Sequence, residues 1–243
     1  MTRRSAMQVF YRIMALWLAV STAFVTFIAF YSGNHVMRAV MCMGLGLVLL
    51  WCYGCGFLMI RYREPIRRFV LNLKGGWQLK FTIFCILLAM LEEAITTTMT
   101  NLAPLFGEPI GKAYITATSN FFDLIFFHSV IVFVPMFIFW AWILARYDFK
   151  PATVMLLFGI TGTLAECNTG FQHLSEFGMW LFVYGWMVYL PAYSLPERTK
   201  LKKPGTLWYL LATIIPILLG GPIAGIVLLV FHHPANHFPP IKT

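Results

Sequence analysis

The sequence predicts an all-α, polytopic membrane bundle of about seven spans, with a cytoplasmic N-terminus and the C-terminus outside. Three observations predict it. The 243-residue chain is 60% apolar and 11% charged, with a mean hydropathy of +0.76; a soluble domain has ~45–50% and ~25%. Its apolar residues gather into seven stretches, most near the ~20 residues a span needs. Its Lys and Arg fall almost wholly on one side of an alternating topology, as cytoplasmic loops do.

The first stretch, residues 10–31, follows Arg3, Arg4 and Arg12. No charge interrupts Ile13–Phe30, which is longer than the ~7–15 residues of a signal-peptide apolar region, so an uncleaved first span is expected. The second, 39–60, holds Cys52 and Cys55, which share a helix face as small apolar fillers. A redox pair would need an exposed, low-pKa thiol. The third stretch is 81–103 and the fourth 120–145. The fifth, 152–168, is short enough to be tilted, extended or partly re-entrant. The sixth is 177–195. The seventh, 207–231, contains Pro216 and Gly220-Gly221-Pro222, so a kink or break is expected; a full reversal there would make eight spans. The longest hydrophilic pieces, 61–80 and 196–205, are too short for a domain. Residues 1–243 therefore read as a single integral membrane domain.

With the N-terminus inside, only Arg38, Lys112 and Lys242 of the 18 Lys and Arg lie outside. The net charge of +9 is thus a loop bias. It is scattered over short loops, so nucleic-acid binding is not expected; the expected partner is the lipid bilayer.

Ionisable groups within spans are costly and usually functional. In "AMLEEAITTT", Glu92 lies about 18 Å along the third span from Lys80, just past the midplane. Glu92, Glu93, Thr96, Thr97, Thr100 and Asn101 stack on one helix face, a polar wedge opening outward. The fourth span enters from outside with Asn120, Asp123 and His128 in its first turns, His128 about 10 Å deep. Asp123 could cap that span or meet Lys112. The fifth leaves with Glu166, followed by Asn168, His173 and Glu176. His232, His233 and His237 read as an exposed tail on the same side. Glu64, Asp148 and Glu197 sit in basic loops, whereas Glu92, Glu93, Glu108, Asp123, Glu166 and Glu176 fall in the outer half. No Lys or Arg lies in a span core to pair with Glu92 and Glu93, so a shared proton, a metal, or hydrogen bonds from His128 and the threonines must neutralise them.

Three active readings follow. In a membrane-embedded hydrolase or protease-like enzyme, Glu92 or Glu93 activates water and His128 and His173 assist, with Glu166 and Asn168 as further members. The order "EEAITT", His128 in "LIFFH" and His173 in "HLSEF" resembles the CAAX prenyl protease and bacteriocin-processing family of membrane glutamic proteases, and the resemblance implies hydrolysis. This chain has Thr97 where that family has arginine, Leu124 where it has phenylalanine, and Phe177 where it has Asn or Asp. In a metal site, Glu92, Glu93, Asp123, His128 and Glu166 would bind a divalent cation such as zinc, iron or manganese. In a transporter or channel, the same carboxylates would relay protons or bind an ion. The substrate would be a lipid, a peptide or an ion. A non-catalytic membrane subunit, with the carboxylates serving helix contacts, is the remaining reading. The expected location is the cytoplasmic (inner) membrane of a prokaryote.

Overall fold

The computed structural model describes residues 6–167, 170, 174–198 and 201–241. Among these the chain is all-α, with two isolated bridges and no strand. Helix α1 (Ala6–Tyr31) turns at Gly33, whose φ of 72° suits a residue without a Cβ. Asn34 then caps α2 (His35–Leu47), its Oδ1 accepting from the Met37 N–H at 3.0 Å, as N-caps do. The rod continues through a π-helical stretch, Val48–Cys55, into α3 (Gly56–Asn72). Such wide turns are rare, and here two indoles pin the backbone around it: Trp51 Nε1 donates to Val183 O at 2.9 Å and Trp186 Nε1 to Cys52 O at 3.0 Å. The stretch changes the expected regular spacing of the two cysteines; Cys52 is buried and Cys55 half-buried.

Helix α4 (Trp77–Asn101) leads to a short 3-10 turn, Ala103–Phe106, and a loop. Then come α5 (Phe121–Phe127), α6 (Ser129–Leu144), α7 (Pro151–Glu166), α8 (Phe177–Tyr193) and α9 (Thr206–Leu229). The core is aromatic and fully enclosed at Trp51, Phe81, Phe137, Trp140 and Phe158. Helices α7 and α8 interlock through glycines: a Cβ on Gly162 would lie 2.0 Å from the Tyr184 ring, and one on Gly159 2.7 Å from Leu181. Close backbone approach over small residues is how helices associate where water drives nothing. At the basic end, cations cap helix C-termini, where carbonyls lack partners. Lys80 Nζ donates to the carbonyls of Val70, Leu71 and Leu73, and Arg198 to that of Leu144.

Among the described residues, three helical rods are long and apolar enough to cross a membrane: Ala6–Tyr31, His35–Asn72 and Thr206–Leu229. The bent pair α5 and α6 makes a fourth if the two are one span. Large apolar side chains such as Phe24, Phe27, Leu218 and Leu229 cover their outer faces, as expected of an integral membrane protein. The count is below the seven expected. Helices α7 and α8 have 16 and 17 residues, or about 24–26 Å, short of the ~30 Å hydrocarbon core. Helix α4 has 25 residues, but carries the glutamates and is packed against α2, α6 and α8.

Two breaks differ from expectation. The seventh stretch does not reverse: α9 runs unbroken through Pro216 and Pro222. Its Gly220 presses on α6, where a Cβ would meet Met136 at 2.4 Å, so the glycine serves packing. The break falls instead in the fourth stretch, where α5 and α6 meet at 44° across His128, with φ −129° and ψ −120°.

Candidate metal centre

That break builds the site. Asn120 caps α5, its Oδ1 accepting from the N–H groups of Phe122 at 3.0 Å and Asp123 at 3.4 Å, which sets Asp123 in the first turn. In an unbroken α-helix, Asp123 and His128 would be about 140° apart around the axis. With the chain leaving the helix at His128, its Nε2 comes within 3.5 Å of Asp123 Oδ2.

The tail supplies the rest. It reverses after α9 at His232, whose φ is +51°, and lies back over the loop before α5. The His237 N–H donates to Ala117 O at 2.9 Å, and Tyr114 Oη donates to Pro239 O at 2.9 Å. The Phe238 ring stacks near Tyr114, with centroids 4.9 Å apart. That loop is itself held by α4: Thr100 Oγ1 accepts from the Ile115 N–H at 3.2 Å, and Asn101 Nδ2 donates to Ser119 O at 3.0 Å. The outer end of the polar wedge is therefore used to anchor a loop.

Folded back in this way, His233 Nε2 meets Asp123 Oδ1 at 2.7 Å, and His237 Nε2 meets Oδ2 at 3.0 Å. The His233 ring lies flat on Phe127, centroids 4.7 Å apart. Asp123, His128, His233 and His237 each offer one ligand atom, all within 4.8 Å of one another. Protons alone serve this arrangement poorly. Asp123 Oδ1 can accept from the His233 imidazole, but Asp123 Oδ2 and His128 Nε2 are buried without a hydrogen bond of acceptable geometry, a costly state. A divalent cation would engage all four groups at once. Three imidazoles and a carboxylate suit Zn²⁺ first, with bonds of ~2.0–2.1 Å, and Fe²⁺ or Mn²⁺ second.

A second polar cluster lies within the bundle. Glu92 and Glu93 are each only 5% exposed. Thr96 Oγ1 donates to Glu93 Oε2 at 3.1 Å, and Ser129, the residue after His128, also hydrogen-bonds Glu93. Glu93 thus faces the N-terminus of α6, the positive end of its dipole. Glu166, at the end of α7, is within electrostatic reach of both glutamates and accepts a hydrogen bond from the Tyr184 hydroxyl of α8. No Lys or Arg pairs with Glu92 or Glu93 among the described residues.

The structure therefore divides the sequence candidates between two clusters. Glu92, Glu93 and Glu166 come together; Asp123 and His128 belong to the other set. His128 pairs with Asp123 and not with the glutamates. Lys112 pairs with Glu108 at 2.7 Å and leaves Asp123 to the histidines. His173 and Asn168 lie outside the described residues. Glu176 is exposed and accepts from Trp180 Nε1 at 3.0 Å. His233 and His237, expected as a loose tail, are the corrected members; His232 stays exposed. The signal that could have found them is three histidines in "HHPANH", two of them four residues apart.

No protein-family model matches the chain, and neither curated proteins nor solved structures give a match. The likeness to membrane glutamic proteases thus rests on residue order alone.

Proposed function

We propose that the chain is a seven-span membrane metalloenzyme, N-terminus inside, that hydrolyses a lipid- or peptide-like substrate at its outer face. One observation carries this reading: the convergence of the Asp123, His128, His233 and His237 ligand atoms within 4.8 Å. A cation held there would supply Lewis acidity and lower the pKa of a water. The protein's own groups have complementary tasks. The His237 side chain is 34% exposed against 9% for His128, so solvent and substrate reach the centre from the tail side. Glu93, beside Thr96 and Ser129, would accept a proton, and Glu92, Glu166 and Tyr184 would hold it within the bundle. Helices α4, α7 and α8 complete the seven spans, packed among rods that carry the lipid-facing surface. In support of the orientation, the cations capping α3 and α6 lie at the opposite helix ends from the two polar clusters.

Four protein ligands also complete a tetrahedral shell, as in structural zinc sites. On that second reading the ion fastens the tail to α5 and performs no chemistry.

The test is metal analysis of the purified protein, followed by chelation, reloading with Zn²⁺, Fe²⁺ or Mn²⁺, and assay against ester and amide amphiphiles. The enzyme reading expects one ion per chain, activity restored by one of the metals, and a Glu93→Gln variant that keeps the ion and loses turnover. Metal-dependent thermal stability without turnover would favour the structural clamp. Protein that binds no ion at micromolar metal would end both readings.

A further inference from the structure

A sizeable cavity lies away from the metal centre. It opens at the basic end, between α1, α3, α7 and α8, and has a volume of about 680 Å³. Two hydrogen bonds hold α1 across it: Tyr11 Oη donates to Ala152 O at 2.7 Å, and Tyr53 Oη to Ala15 O at 2.6 Å. Between them the helices stay apart. Its lining is mostly apolar: Met155, Phe182 and Trp186 are buried, and Phe57 and Ile60 are exposed at its open side. The rim carries Arg12, Arg63 and Lys150, and among the described residues no Asp or Glu lines the space. The Arg63 guanidinium is fixed over the Tyr193 ring, 5.0 Å from its centroid, and bonded to Tyr189. The nearby carboxylate, Glu64, accepts from the Tyr193 hydroxyl. Arg12 and Lys150 pair with no carboxylate among the described residues.

We infer that this cavity binds one anionic phospholipid from the leaflet at the basic end, its phosphate between Arg12, Arg63 and Lys150 and an acyl chain against Phe57, Ile60 and Trp186. The argument is charge complementarity joined to shape. A cluster of cations at the membrane surface attracts anionic headgroups, and tyrosines and tryptophans at that depth suit the interface. An apolar wall of this size would serve no purpose for a free anion. A soluble anionic metabolite would in turn need more donors than one rim supplies. The inference uses the membrane setting of the proposed function but not its metal chemistry.

The test reconstitutes the full chain in nanodiscs of phosphatidylcholine alone or with phosphatidylglycerol. The protein is then re-extracted in mild detergent and its retained lipid counted by native mass spectrometry. We expect one phosphatidylglycerol per chain, retained at least about 10-fold over phosphatidylcholine. The double substitution Arg12→Gln with Lys150→Gln should abolish that preference. Ile60→Trp, which fills the apolar wall and keeps the charges, should reduce retention of either lipid. Equal retention of the two lipids would overturn the inference, as would unchanged retention in the double variant. So would displacement by inorganic phosphate alone, which would mark an anion site without a lipid. Helix content and size-exclusion profile verify the fold of each variant. Metal content at the far end is recorded separately, so loss of the lipid site and loss of the metal centre are distinguishable.

Discussion

The two polar clusters abut at the start of α6, where Ser129 follows His128, yet are built by opposite means. Glu92, Glu93, Glu166 and Tyr184 project from α4, α7 and α8, so regular helix geometry and the packing between those helices place them. Asp123, His128, His233 and His237 come from a seven-residue helix, the break after it and a tail with no helix at all. The difference teaches that this bundle buries charge by helix register and gathers ligands where the backbone leaves the helix. The carboxylate cluster should accordingly fail when helix packing fails. The histidine cluster should fail when its own members are changed, with the bundle intact.

The sharpest way to break the first half of that contrast is Gly162→Ala. Its new methyl would meet the Tyr184 ring at 2.0 Å, forcing apart α7 and α8 and with them Glu166 and Tyr184. Overpacking of this kind costs about 1–3 kcal/mol and occasionally more, and we expect a drop in the melting temperature of the detergent-solubilised protein. Gly44→Ala is the control, because nothing lies within 4 Å of a Cβ there. It should be neutral or stabilise by up to ~1 kcal/mol. Equal melting temperatures for the two variants would show that the α7–α8 seam does not support the cluster.

Asp123→Asn is next in size. It keeps the side chain's shape and removes the one charge that three imidazoles share. Loss of a supporting group costs ~10–100-fold in metal affinity, so loss of a direct ligand should cost at least about 100-fold. Glu93→Gln should leave affinity within about 3-fold, since Glu93 lies in the other cluster. Titration of apo protein with Zn²⁺ measures both; a Glu93→Gln effect as large as that of Asp123→Asn would merge the two clusters into one site.

How much of this was legible in the sequence follows the same division. Hydropathy marked the stretches that α1, α2 and α4 to α9 occupy, and the i, i+4 spacing put Glu92, Glu93, Thr96 and Thr97 on one face; most of α3 was missed, because it runs on through the charged residues 61–72 that read as a loop. Glu166 was placed near them because it ends a stretch on the same side. What was hidden depends on backbone departures. Asp123 and His128 are five apart, a spacing that regular helix geometry separates, and no residue in "DLIFFHS" announces a break; the prolines that do announce one, Pro216 and Pro222, sit in an unbroken helix. The tail histidines looked loose because their anchors, Ala117, Tyr114 and Phe127, are more than a hundred residues away in the chain.

Acidification separates the clusters without any substitution. Metal-bound imidazoles must be neutral, and a free histidine takes its proton near pH ~6.5. With three histidines at one ion, protons compete for the ligand nitrogens, so occupancy should be highest at neutral to alkaline pH and fall on acidification. Metal per chain after equilibration across a pH series is the measurement. Retention that stays flat down to pH 5 would argue against imidazole ligation.

The smallest effect probes the link between the clusters. Thr96→Val keeps the volume of the side chain and removes the hydroxyl that donates to Glu93 Oε2 at 3.1 Å. One hydrogen bond to a buried group is worth about 1 kcal/mol, and Ser129 remains as a donor, so the fold and the metal affinity should change little. If Glu93 accepts the proton in hydrolysis, loosening it should lower turnover by about 5-fold and leave substrate binding as it was. Ser129→Ala removes the partner beside His128 and should act in the same direction; in the double variant Glu93 loses both side-chain donors, and the loss should exceed the product of the two. If the effects simply multiply, each hydroxyl acts on its own and Glu93 is not the group they hold in common.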